Sequence, residues 1–79
     1  MRLDKYLKVS RIIKRRTVAN EACDAGRVEV NGKVARASYD VKVGDVIKVS
    51  LGSNKREYEV LEVLEHALKE DALKMYKPL

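Results

Sequence analysis

Along the first nine residues the apolar positions keep a helical period: Leu3, Tyr6 and Leu7 fall on one side, while Arg2, Lys5 and Lys8 fall mainly on the other. Ile12-Ile13 breaks that pattern after Ser10, and a second helix is expected to begin between Lys14 and Thr17 and to run to Ala25. Its apolar positions, Val18, Ala19, Ala22 and Cys23, are small enough to let it pack closely on the first helix. Gly26 then supplies a stop, since a residue without Cβ takes the left-handed conformation at little cost. From Val28 the period changes to alternation. Val28-Glu29-Val30 reads as a strand, Asn31-Gly32 as a two-residue hairpin turn, and Lys33-Val34 as the return strand. A polar stretch through Ser38 and Asp40 leads past Val41 and Val43 to a turn at Gly44-Asp45, and the run Val46-Ile47-Lys48-Val49 forms the next strand. Gly52-Ser53-Asn54 is read as a loop, and Tyr58, Val60 and Leu61 or Val63 as a further strand. Finally Leu68, Ala72, Met75 and Tyr76 share a helical face within Glu65 to Tyr76, ending before Pro78. This order predicts an α+β fold: two N-terminal helices packed on a small, mainly antiparallel sheet, with a short C-terminal helix.

Seventy-nine residues suffice for one thin-cored domain, so residues 1–79 are read as a single unit without a second domain to frame a catalytic cleft. Charge changes the picture more than length. The first sixteen residues hold Arg2, Lys5, Lys8, Arg11, Lys14, Arg15 and Arg16 against Asp4 alone, whereas the other 63 are nearly neutral in a chain of formal charge +5. Cations segregated in this way suit a polyanion, because binding a phosphate backbone releases its counterions. A merely solvated surface would intersperse acids at i,i+4, and only Asp4 to Lys8 does so. Arg15-Arg16 stand where the second helix should start, a placement its dipole disfavours and an anion would relieve, unless Thr17 or Asp24 offsets it.

The remaining candidates for chemistry are sparse. Asp4 is read as a first-turn acid that also orients Arg2, Lys8 or a neighbouring arginine. His66, the one histidine, reads as a surface residue in acidic surroundings, and Cys23 as a small core residue. One Cys, one His and scattered acids do not make a metal site, and no phosphate-cradling glycine loop is present, so neither metal nor cofactor is expected. Tyr39 and Tyr58 could stack on bases or simply pack. Nothing in the chain equips an enzyme. No apolar run has the length of a membrane span, and no feature requires an oxidising compartment, so a cytoplasmic protein is expected.

Two short helices with a basic second one could form a helix-turn-helix, which makes a small DNA-binding regulator the competing reading. After its arginines, however, that helix offers Glu21 and Asp24 where a groove would lie. Structured RNA, recognised by shape and backbone, fits a compact Arg/Lys patch followed by a hairpin.

The runs Met1-Arg2-Leu3-Asp4-Lys5-Tyr6-Leu7, Ser10-Arg11, Lys14-Arg15-Arg16, Gly26-Arg27-Val28-Glu29-Val30-Asn31-Gly32-Lys33 and Val43-Gly44-Asp45-Val46-Ile47 occur in that order over about the first fifty residues. They resemble the RNA-binding domain named after the fourth protein of the small ribosomal subunit. Within that superfamily the chain is similar to the free-standing bacterial factors: the heat-shock protein fifteen family and, closer in length and in its Arg-Leu-Asp-Lys start, the RqcP family of ribosome-associated quality control. The resemblance implies a non-enzymatic factor, monomeric off the ribosome, that binds an obstructed large ribosomal subunit through rRNA and P-site peptidyl-tRNA. It would hold the tRNA while an RqcH-type tailing factor adds alanine to the stalled chain without mRNA. It also implies that Arg2, Lys5, Lys8, Arg11, Lys14, Arg15 and Arg16 form the family's basic surface, with Arg2 and Arg16 foremost. Lys33 would belong to its hairpin, and Asp4 would be its acid after Arg-Leu.

Overall fold

The computed structural model describes residues 1–79 in the order α1 (Leu3–Val9), α2 (Arg16–Asp24), β1 (Val28–Val30), β2 (Lys33–Val34), β3 (Val46–Leu51), β4 (Asn54–Val60), α3 (Lys69–Ala72) and β5 (Tyr76–Pro78). The expected α+β architecture is present. All strands pair antiparallel in one sheet ordered β2-β1-β3-β4-β5, and α1 packs on α2.

The two periods read in the sequence show directly in burial. Leu3, Tyr6 and Leu7 are fully buried, and Ala19, Ala22 and Cys23 of α2 join them. Val18, counted with that apolar face, is instead 44% exposed. It lies one residue, about 100° of helix rotation, before Ala19, outside the i,i+3,i+4 stripe that Ala19, Ala22 and Cys23 form. In the sheet, Val28, Val30, Ile47, Val49 and Val60 face the same core. The other face carries Glu29, Lys48 and Glu57 side by side across three strands, an alternation of charge suited to a solvated surface.

Turn chemistry fixes the register. Asn31 and Gly32 have φ of 53° and 85°, the two positive values a type I′ turn demands, and Val30 pairs with Lys33 around them. The Asn31 side chain does more than turn the chain. Its Nδ2 donates to Asp45 Oδ1 at 3.0 Å, and its Oδ1 accepts from the Val46 N–H at 3.0 Å. Asp45 Oδ2 also accepts from the Tyr39 hydroxyl at 2.9 Å and from the Lys42 N–H at 3.0 Å, so one carboxylate ties the first hairpin to the segment that enters β3. Burial opposes ionisation of Asp45, but these donors outweigh it and lower its pKa.

The C-terminal quarter departs from expectation. Apolar spacing predicted a helix from Glu65 to Tyr76, whereas only Lys69–Ala72 is helical and Tyr76–Pro78 adds a fifth strand to β4. β4 also ends at Val60, before Leu61 and Val63. Both differences have one cause. Met75 turns its carbonyl back on the chain, accepting from the N–H groups of Leu61 and Glu62, and Tyr76 then pairs with Val60 while its ring meets Tyr58 edge to face at 5.2 Å. Sheet pairing and ring contact outcompete a helix whose periodicity was only local.

That returning segment is fastened to α1. The Tyr6 hydroxyl, fully buried, donates to the Met75 carbonyl at 2.7 Å across 69 residues of sequence. We expect Tyr6→Phe, which keeps the ring and removes one donor from a carbonyl that retains the Leu61 and Glu62 N–H groups, to cost about 1–1.5 kcal/mol. Thermal unfolding should report a Tm lower by roughly 5–10 °C.

Candidate nucleic-acid interface

Asp4 occupies the first turn of α1 with its side chain only 3% exposed. Its two oxygens meet the Arg2 guanidinium as a fork, Oδ1 accepting from Nε at 3.2 Å and Oδ2 from Nη2 at 3.3 Å. Oδ1 also accepts from the Lys5 N–H at 2.8 Å, and Oδ2 from Asn20 Nδ2 at 3.1 Å. Arg16, at the start of α2, places Nη2 3.5 Å from Oδ1. Arginines at the starts of two helices, Arg2 at the α1 N-cap and Arg16 in the first turn of α2, therefore share one buried carboxylate while their own side chains stay about half exposed, at 51% and 48%. Each keeps most of its five N–H donors unengaged, a paired array suited to phosphate oxygens.

Electrostatics supports the arrangement. Burial alone would raise the Asp4 pKa, but the hydrogen bonds from Arg2, Asn20 and the Lys5 N–H, with the charge of Arg16, lower it from 3.8 to about 2. No side chain caps α2, whose N-cap is Arg15. Neither Thr17 nor Asp24 plays that part; the acid beside the start of α2 is Asp4.

The other basic residues are not gathered around Asp4. Lys5 is paired with Glu65 from the segment after β4, a partner 60 residues away that no local pattern announces. Lys8, Arg11 and Lys14 converge on a separate cleft with Val9, Glu65, His66 and Ala67. Lys33 lies in β2 and borders a third depression with Arg36 and Tyr39. Arg15 is exposed at the α2 N-cap. Lys8, named with the arginines as a partner of Asp4, does not reach it; the acid engages Arg2 and Arg16.

Sequence reasoning missed Asn20 as a donor to Asp4 and Arg36 as a neighbour of Lys33. Asn20 follows Arg16 by one helical turn, so once the arginine is placed against the carboxylate the spacing makes the amide its neighbour. Cys23 is buried, and burial, with the charges of Asp4 and Asp24, pushes its thiol up to about 11, leaving it inert. Tyr39 and Tyr58 both pack against the core, the first with its hydroxyl committed to Asp45. No helix is long and apolar enough to cross a membrane.

Comparison with known proteins gives a consistent result. A family model described as the S4 domain matches residues 1–47. The chain is 54% identical over 77 residues to the RQC P-site tRNA stabilizing factor of Streptococcus pneumoniae, with 98% of this chain and 88% of that protein aligned. It is 51% identical over 76 residues to the protein of the same name from Bacillus subtilis, with 96% and 88% aligned. Among solved structures it is similar to heat shock protein 15 of Vibrio cholerae, described as trimeric, with a TM-score of 0.91, 26% identity, and coverage of all of this chain and 81% of that one.

The depressed pKa of Asp4 sets a pH dependence. Its folded value lies below 3.8, so its contribution to stability is complete above about pH 4 and is lost as pH falls toward 2. The shift corresponds to roughly 2 kcal/mol. We expect denaturant titrations to show wild type more stable than Asp4→Asn at pH 6, with the gap closing between pH 4 and pH 2. A gap independent of pH would refute the assignment of that stability to the ionised carboxyl.

Proposed function

Because the chain belongs to the S4 domain family, in the line of the RQC P-site tRNA stabilizing factors, we propose that it is a single-domain, non-enzymatic RNA-binding factor of ribosome-associated quality control. On this reading it binds a large ribosomal subunit still blocked by peptidyl-tRNA, touching both the large-subunit rRNA and the P-site tRNA. It keeps the tRNA in place while an RqcH-type factor extends the stalled chain with alanine. It acts in the cytoplasm, on the ribosome, and is monomeric away from it.

The observation that carries this reading is the Arg2–Asp4–Arg16 centre. A tRNA held between additions must be gripped at its backbone without being read, and two guanidinium groups fixed by one buried anion do that. Pre-organisation matters because an arginine already immobilised loses less rotamer freedom when phosphate arrives. Lys8, Arg11, Lys14, Arg15 and Lys33 extend the cationic surface so that a second backbone can be engaged, while Lys5 serves mainly to hold Glu65. The DNA reading is disfavoured by α2, whose exposed Glu21 and Asp24 would meet a second polyanion in any groove. The heat-shock protein fifteen reading has the fold in its favour, but the identity to that solved structure is half that to the stabilizing factors.

Sedimentation of lysates containing tagged protein tests partner and centre together. Wild type is expected to travel with free large subunits carrying peptidyl-tRNA, and the Arg2→Ala, Arg16→Ala double variant to remain at the top of the gradient. Each arginine should be worth about 1–3 kcal/mol of affinity. Wild type remaining at the top, or following DNA, would overturn the proposal.

A further inference from the structure

The cleft of about 480 Å³ at the far end of α1 has a composition unlike that of the Asp4 centre. The last turn of α1 gives Lys8 and Val9, the loop before α2 gives Arg11 and Lys14, and the segment after β4 gives Glu65, His66 and Ala67. Glu65, its only carboxylate, is already matched by Lys5, whereas Lys8, Arg11 and Lys14 have no acidic partner. Three unmatched cations therefore border a space that also has an apolar wall, Val9 and Ala67, and one flat ring, His66.

The backbone adds an independent observation. Arg11 has φ of 65°, a left-handed conformation that glycine takes without strain and that a long side chain takes at a cost. It closes α1 from that conformation, its N–H donating to the Lys8 carbonyl at 3.0 Å, in the place a helix C-terminus commonly gives to glycine. Strain of this sort persists where the side chain is used.

We propose that this cleft is a second RNA site, distinct from the Asp4 centre, that takes one unpaired nucleotide: its phosphate on Lys8, Arg11 and Lys14, and its base against Val9, Ala67 and the His66 ring. The volume suits a single nucleotide, and stacking of an extruded base on an aromatic side chain beside cations is how single-stranded RNA is commonly held. The inference rests on the RNA-binding reading but assigns His66, so far only a surface histidine, a binding role. It also gives the Lys5–Glu65 pair a purpose, since that contact pins the wall carrying His66 onto α1.

The test uses the full-length, isotope-labelled protein, titrated in turn with uridine 5′-monophosphate, adenosine 5′-monophosphate and inorganic phosphate while side-chain and backbone resonances are followed. Both nucleotides are expected to move the His66 ring, Ala67 methyl and Arg11 N–H signals saturably, whereas phosphate moves Arg11 and leaves the His66 ring nearly still. His66→Ala should weaken nucleotide binding roughly three- to tenfold, in keeping with the loss of one stacking contact. His66→Phe, which keeps a ring, should retain it. Arg11→Gly should lose nucleotide binding yet raise Tm by roughly 5 °C, separating the role in binding from any role in folding. A His66 ring that does not respond to nucleotides, or the same response after Arg11→Gly, would overturn the inference. Unchanged affinity of His66→Ala for a structured RNA that still requires Arg2 and Arg16 would overturn it as well and leave the proposed function standing. Failure of wild type to bind any RNA would overturn that function.

Discussion

One ionised carboxylate, almost sealed from water, organises this protein. An isolated Asp4 would be too costly to bury charged, and it is tolerated because the Arg2 side chain, the Lys5 backbone and Asn20 of α2 donate to it and the charge of Arg16 pairs with it. Those bonds set the angle between the two helices near their starts. They also decide which way the two arginines lie, so that the stability of the helix pair and the shape of the cationic surface depend on the same atoms. Replacing the acid with an apolar residue of similar size could preserve the packing, but it would leave two like charges side by side with nothing to hold them.

The other end of α1 is governed by the chain's return. Tyr6 reaches Met75 and Lys5 reaches Glu65, so a seven-residue helix that could not persist alone is clamped by a segment more than fifty residues distant. Most of α1's stability is thus tertiary. The two cationic regions sit at opposite ends of that helix, roughly 10 Å apart along its axis. The helix is therefore a rigid spacer of that length between two separate cationic regions.

What could be read from the sequence was what short-range rules govern. The Leu3-Tyr6-Leu7 stripe, the stop at Gly26 and the Asn31-Gly32 turn each follow from residues within one helical turn or one hairpin, and each appears where expected. The C-terminal strand did not, because Leu68, Ala72, Met75 and Tyr76 keep helical spacing by chance of composition while the contacts that decide the matter, Tyr76 with Tyr58 and Met75 with Tyr6, are long-range. The site divides along the same line. Local charge density found the basic residues, and the Arg-Leu-Asp start placed Asp4 among them. That Lys5 would be taken by Glu65, that Asn20 would complete the Asp4 centre, and that His66 would share a cleft with Lys8, Arg11 and Lys14 depend on how distant segments meet.

The sheet also ends in a particular way on each side. β2, at one border, is two residues long and includes Lys33, and β5, at the other, contains Lys77 and Pro78. Leu79 donates its N–H inward to Glu57, so strand alternation turns position 78 outward, where proline has no N–H to offer. A further strand arriving at either border would find too short a ladder or a missing donor beside a charge. A sheet bordered in this way does not serve as a template for aggregation.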